Sequence, residues 1–210
     1  IDKSVIAMIA AVPDSLNYSK QYRLMAGDNF VDVGIAEEHA ISMAAGLAKR
    51  GCKPIFATLS TFYQRTYDQV YQELCINKVP VTMIVVNASV YAPNDVTHIG
   101  IFDIPLLANI PNLVYLAPTN RQEYISMLDW SINQDLYPVA IRAPRNGIFE
   151  TKYDVDKDYS VLNRFYMVNK GEKIAVIALG DFFQLGEEVV ERINKVLEIN
   201  ATLINPRYIT

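Results

Sequence analysis

The chain has 210 residues, a formal net charge of −4, and is 51% hydrophobic and 20% charged. That is one large globular domain, or one and a fraction, with enough apolar residues for a sizeable core. The acidic balance and the lack of any Lys/Arg run argue against nucleic acid as a partner, and no apolar run reaches membrane-spanning length.

Val5 to Val12 is a continuous apolar run, the pattern of a strand buried on both faces. Pro13 to Met25 is polar, with a weak helical pattern. Phe30 to Val33 reads as a short strand that turns at Gly34, and a helix follows from Glu37 to a stop near Gly51. Pro54–Thr58 is the next strand. Ser60 suits an N-cap, and a long helix is expected from there to about Asn77. Val81–Val86 is another buried strand, Ser89 to Gly100 a loop, and Phe102–Ala108 a short apolar helix. Leu113–Ala117 is a strand, Thr119 caps a helix running to about Asn133, and Val139–Arg142 is a strand before Pro144.

From Ala143 to Met167 the sequence grows richer in Asp, Asn and Lys and loses its periodicity. Lys173–Gly180 then restarts a strand, followed by a helix over about Gln184–Ile199 and a strand at Ala201–Asn205. Strands alternating with helices imply an α/β fold, a mainly parallel sheet with helices on both faces, and then the start of a second α/β domain. The expected division is a domain over 1–147, a linker over 148–170 and an incomplete domain over 171–210. Cys52 and Cys75 lack metal-ligand spacing and fit a reducing compartment. With no cleavage pattern near the N-terminus, the expected location is cytoplasmic.

The stretch that organises the chain is Asn29 to Ala40. Glu37 and Glu38 sit together at a helix start, where unpaired N–H groups and partial positive charge favour carboxylates. On pattern alone they read as solvated first-turn acids. Phe62 reads as a core aromatic on an amphipathic helix, Arg65 as a surface arginine and His98 as a solvated loop histidine.

Other blocks change that reading. Val33-Gly34-Ile35-Ala36-Glu37-Glu38-His39-Ala40 resembles the Gly-Ile-Ala-Glu-Gln-His-Ala signature of the 1-deoxy-D-xylulose-5-phosphate synthase and transketolase family. Ser60 to Val70 resembles its Ser-Thr-Phe-Leu-Gln-Arg-Ala-Tyr-Asp-Gln-Val. Thr97-His98-Ile99-Gly100-Ile101-Phe102-Asp103 resembles its Thr-His-x-Gly-x-Phe-Asp, and Arg142-Ala143-Pro144-Arg145 its Arg-Tyr-Pro-Arg. Separated blocks in register are far more specific than any one of them.

The resemblance implies the pyrimidine-binding domain of a thiamine diphosphate enzyme. Glu37 would be the carboxylate that hydrogen-bonds N1′ of the aminopyrimidine, so that the cofactor's own 4′-imino group takes the C2 proton. Phe62 would stack on the aminopyrimidine, and Arg65, three residues on, would face the same pocket. His98 would stand near the reacting substrate, for proton transfer or binding. Arg145 would grip a sugar phosphate through its guanidinium fork. Glu38 replaces a family Gln and His39 follows the motif into the helix, so neither is expected to act in catalysis.

The departures fall on the acceptor side. Leu59 stands where the family has Tyr, Asn87 where it has a second phosphate-binding Arg, and Asn94 where it has Asp in the substrate pocket. Asp95-Val96 replace a Gly-x pair. One lost Arg–phosphate contact is worth roughly 1.5–3 kcal/mol. The implied reaction joins pyruvate, after loss of CO2, to glyceraldehyde 3-phosphate, or it is a related reaction on another acceptor. Ketol transfer of the transketolase kind, or a non-catalytic subunit that keeps the fold, are the alternatives.

The family's Gly-Asp-Gly diphosphate module is missing. Gly27-Asp28 and Gly180-Asp181 are the only Gly-Asp pairs, and neither continues to a third glycine. Mg2+ is therefore expected on a diphosphate-binding module in the same parent chain or a partner subunit, with no metal ligands here. A homodimer is implied, because such sites form between modules. The chain is expected to be a fragment of a longer enzyme or one half of a two-chain enzyme.

Overall fold

The computed structural model describes residues 2–90, 96–144, 150 and 154–210. Six strands form one parallel sheet: β1 Val5–Ile9, β2 Phe30–Asp32, β3 Lys53–Leu59, β4 Thr82–Val86, β5 Val114–Leu116 and β6 Val139–Ala143. Their order is β2-β1-β3-β4-β6-β5. The continuous apolar runs behave as expected, because both faces are covered. Met8, Phe56, Met83 and Tyr115 point into one core, and their neighbours Ala57, Ile84 and Leu116 point into the other.

The helices are α1 Lys20–Ala26, α2 Glu37–Lys49, α3 Tyr67–Gln69, α4 Asp103–Leu107, α5 Arg121–Asn133 and α6 Phe183–Leu197. α2 packs Ala40, Ile41 and Ala44 into the first core, and α5 packs Met127 and Trp130 into the second. Cys75 is wholly buried in the first core, and that burial pushes its thiol up to about 12. No described helix is long and apolar enough to cross a membrane.

Two expected caps differ from what forms. Ser60 does not cap a long α-helix. Ser60–Thr66 winds as a 3-10 helix, α3 follows as a single turn, and Val70–Cys75 widens into a π-helix. Ser60 is buried, and its hydroxyl donates to the carbonyl of Asn87 (3.4 Å) instead of to its own helix. Tyr63 is drawn inward, where its hydroxyl donates to the carbonyls of Phe56 (3.3 Å) and Ile84 (3.2 Å).

At α5 the cap is Asn120, whose side chain accepts from the Glu123 amide at 2.8 Å. Thr119 instead gives its amide (2.8 Å) and hydroxyl (2.9 Å) to the Glu123 carboxylate. The buried network is thus built around Glu123. Asn120→Ala should cost about 1 kcal/mol, read as a lower urea midpoint at unchanged m-value.

Beyond residue 154 a three-stranded sheet forms: β7 Tyr166–Asn169, β8 Ala175–Ile177 and β9 Thr202–Asn205, in the order β7-β9-β8. β8 runs parallel to β9 and β7 antiparallel to it. β7 arises in the stretch whose composition suggested a linker. The last residues return to the large sheet, where Tyr208 bridges Leu116 on edge strand β5. Arg207 fastens this return from a buried position. Its Nη1 donates to Asp156 at 2.5 Å, its Nε lies 3.2 Å from Glu123, and its guanidinium covers the Tyr166 ring at 4.7 Å.

Candidate active site

Of the residues singled out from sequence, the described ones, Glu37, Phe62, Arg65 and His98, follow the carboxyl ends of parallel strands β2, β3 and β4, where α/β folds place their sites. After β2 the Asp32 carboxylate accepts from the Ala11 and Gly34 amides, each at 2.9 Å, and Gly34 takes a left-handed φ of +72°. The chain then enters α2 at Glu37 without a side-chain cap. The buried stripe of α2 is Glu37, Ala40, Ile41, Ala44 and Ala45, the spacing of one helix face.

That stripe separates the two acids. Glu37 is 2% exposed, whereas the side chain of Glu38 is 39% exposed. Glu37 is therefore a carboxylate kept from bulk water, not a solvated first-turn acid. His39 lies exposed on the same helix.

Arg65 reaches both acids. Its Nη1 lies 3.0 Å from Glu37 Oε2, and its Nη2 lies 3.4 Å from Glu38 Oε1. The first contact is an ion pair by distance, but its angle is not that of a hydrogen bond. Among the described residues, buried Glu37 Oε2 has no hydrogen-bond partner. A buried acceptor in that condition is costly unless something else satisfies it.

The 3-10 winding of Ser60–Thr66 brings Phe62 and Arg65 onto one side, since residues three apart eclipse in that helix. Phe62 is half-buried and meets the His98 ring edge-on, with centroids 5.4 Å apart and planes at 73°. His98 ends a short 3-10 turn, Val96–His98, and its Nδ1 lies 2.7 Å from Thr97 Oγ1. Contacts thus join Glu37 to Arg65 and Phe62 to His98, and the 3-10 helix carries one member of each pair. Arg145 and Asn94, read as substrate-binding, lie outside the described residues.

Sequence reasoning passed over a cluster behind these residues. Asp103, 1% exposed, accepts from Arg142 Nε (2.6 Å) and Nη2 (3.2 Å) and from the Tyr115 hydroxyl. Asp103 and Arg142 both belong to the quoted motif blocks, which was the available signal. Their contact spans 39 residues of sequence, which no local pattern shows. Among the described residues, no group of three or more His, Cys, Asp and Glu could hold a metal ion.

Residues 2–149 match the family described as transketolase, pyrimidine binding domain. The chain belongs to that family. The 1-deoxy-D-xylulose-5-phosphate synthase of Clostridium perfringens (strain 13 / Type A) is 40% identical over 215 residues, covering 98% of this chain and 33% of that protein. The chain therefore spans about a third of the length of the curated relatives it matches.

Among solved structures, the transketolase of Campylobacter jejuni superposes with a TM-score of 0.84 at 17% identity, over 98% of this chain and 33% of the other. A split gene transketolase, described as an inactive beta4 tetramer, gives 0.79 at 20% identity, over 99% and 66%. At such identities these likenesses speak for the fold. For a pyrimidine-binding domain, the buried acceptor of Glu37, paired through Arg65 to the helix that carries Phe62, is the feature that suits the ligand in the family's description.

Proposed function

We propose that this chain carries the aminopyrimidine-activating half of a thiamine-diphosphate-dependent transferase. The parent reaction would be that of 1-deoxy-D-xylulose-5-phosphate synthase, joining pyruvate, after loss of CO2, to glyceraldehyde 3-phosphate. The observation that carries the reading is Glu37, a buried carboxylate at the sheet's carboxyl edge whose Oε2, ion-paired to Arg65, has no hydrogen-bond partner among the described residues. A heteroaromatic ring bearing an N–H would satisfy it, and the Phe62 ring, on the 3-10 helix whose Arg65 pairs with Glu37, supplies an apolar surface on which such a ring can stack.

When bound, thiamine diphosphate supplies a nucleophilic thiazolium carbon and an electron sink. Glu37 would hold the pyrimidine N1′, and Phe62 would orient the ring. Arg65, paired to both acids, would keep Glu37 in place. His98, against Phe62, would serve the substrate as a proton carrier or hydrogen-bond partner. Arg145 and Asn94 would complete substrate binding. On this basis the chain divides into a pyrimidine-binding domain over 1–147, a connection over 148–170 and the start of a C-terminal domain over 171–210. Mg2+ and the diphosphate belong to a module elsewhere in the parent chain or on a partner subunit, in a cytoplasmic homodimer.

The test uses the full enzyme with Mg2+ and thiamine diphosphate, following CO2 release from pyruvate with and without glyceraldehyde 3-phosphate. Release stimulated by the triose phosphate is the expected result. Ketol transfer between sugar phosphates without any need for pyruvate would move the protein to the transketolase reaction. Neither activity would leave the non-catalytic reading. In the same assay Phe62→Ala should raise the apparent KM for thiamine diphosphate by about one power of ten, because a stacking face is lost.

A further inference from the structure

We infer that Gly100 and Thr61 are positioning residues for His98, pinning its loop to the end of β4 and to the 3-10 helix that carries Phe62. The inference rests on the functional reading above and concerns how that site is held.

The first observation is a close approach. A Cβ on Gly100 would lie 1.7 Å from the carbonyl oxygen of Asn87, 2.9 Å from its carbonyl carbon and 3.0 Å from Ser60 Oγ. Contacts that short to backbone do not occur, so any side chain at this position must displace the loop. Gly100 is not among the glycines with positive φ, so its missing side chain serves space alone. The carbonyl it meets is itself fixed. Asn87 sits in the left-handed region (φ +59°), and Ser60 donates to its oxygen at 3.4 Å. The end of β4, the start of the 3-10 helix and the His98 loop therefore meet at one oxygen atom.

The second observation lies on the other side of His98. Thr61 Oγ1 donates to the Thr97 carbonyl at 3.0 Å. Thr61 precedes Phe62 and Thr97 precedes His98, so this side-chain-to-backbone bond ties the 3-10 helix to the His98 loop beside the ring contact of 5.4 Å. His98 is held from both directions, by Thr61 through residue 97 and by the seat of Gly100. Among the described residues, Thr61 bonds to Thr97 and Gly100 packs against Asn87 and Ser60, not against Glu37, so the device acts on the histidine and leaves the carboxylate alone. The His98 loop rests on Asn87, a position the resemblance puts on the acceptor side, so the substrate that His98 serves is taken to be the acceptor. Such a histidine needs a fixed place, since a misplacement of about 1 Å can cost on the order of 10²-fold in rate.

The experiment compares Gly100→Ala and Thr61→Val with the wild-type full enzyme, loaded with thiamine diphosphate and Mg2+. CO2 release from pyruvate is followed with and without glyceraldehyde 3-phosphate, and hydrogen–deuterium exchange is followed by mass spectrometry. Gly100→Ala should lower the acceptor-stimulated rate on the order of 10²-fold, and Thr61→Val, which deletes one hydrogen bond, roughly fivefold. Acceptor-independent release and the KM for thiamine diphosphate should stay at wild-type values. Exchange should quicken over 96–103 and stay unchanged over α2.

Wild-type acceptor stimulation in Thr61→Val and Gly100→Ala would overturn the inference. So would a uniform loss of both rates. If Gly100→Ala does not fold, Thr61→Val decides alone. If the wild-type enzyme releases no CO2 from pyruvate, the functional reading falls. The exchange result then decides the positioning by itself, with unchanged exchange over 96–103 overturning it.

Discussion

Glu37→Gln in the full enzyme should lower CO2 release from pyruvate by roughly 10²–10⁴-fold, the range expected when a group central to proton transfer is lost. The loss should appear with and without the triose phosphate, because Glu37 is assigned to activating the cofactor before any acceptor is needed. Glutamine keeps the shape and one carbonyl acceptor, but it loses the charge.

The stability cost should be small. The partner left behind, Arg65, has a side chain 42% exposed, so water can solvate its charge. A change within about 1 kcal/mol is expected, as for pairs with a solvated partner. Activity and folding are therefore separable in this variant. Glu38→Gln is the matched control, since its carboxylate differs in burial and not in chemistry. Equal activity of Glu37→Gln and wild type would show that this chain supplies no activating carboxylate, and would favour the non-catalytic subunit.

The distinction between those two acids was partly legible before the structure. The small apolar residues Ala40, Ile41, Ala44 and Ala45 fix the phase of α2, and Glu37 continues that stripe where Glu38 does not. The strands of the large sheet were legible for a similar reason: runs such as Val81–Val86 are apolar at every position, as burial on both faces requires.

What could not be read depends on contacts between distant segments. Ser60 has the right residue type for a cap, but the Asn87 carbonyl claims its hydroxyl. Thr119 does not cap because its hydroxyl is engaged elsewhere, donating to the buried Glu123 carboxylate and accepting from the Asn120 side-chain amide. β7 is a short strand of alternating exposure, visible as a strand only through its pairing with β9. Gly100 looks like any loop glycine until Asn87 is placed against it.

The buried pair behind the site gives the second large effect. Asp103→Ala should destabilise the protein by about 3–5 kcal/mol, since it leaves the Arg142 charge buried without a counter-charge. Arg142 is 9% exposed, so water cannot take the place of Asp103. Burial by itself would push the Arg142 guanidinium down. The hydrogen bonds and charge of Asp103 more than reverse this, and its pKa stands above the ordinary arginine value. Burial, and then the charge of Asp103, pushes the Tyr115 hydroxyl well above its usual range, so it remains a neutral donor to the carboxylate.

The same logic predicts strong non-additivity. Arg142→Met alone should cost a similar amount, because it strands the Asp103 charge. Combining it with Asp103→Leu should cost far less than the sum, since apolar replacements of a whole buried pair are often near neutral. Adding Tyr115→Phe should recover about a further 1–3 kcal/mol by removing the orphaned hydroxyl. Urea midpoints across this series measure the coupling. A loss below about 1 kcal/mol in both single variants would put the pair in the class of surface ion pairs and deny it any anchoring role. A large coupling would make Asp103, which follows the His98 loop directly, the rigid base from which that loop leaves the core.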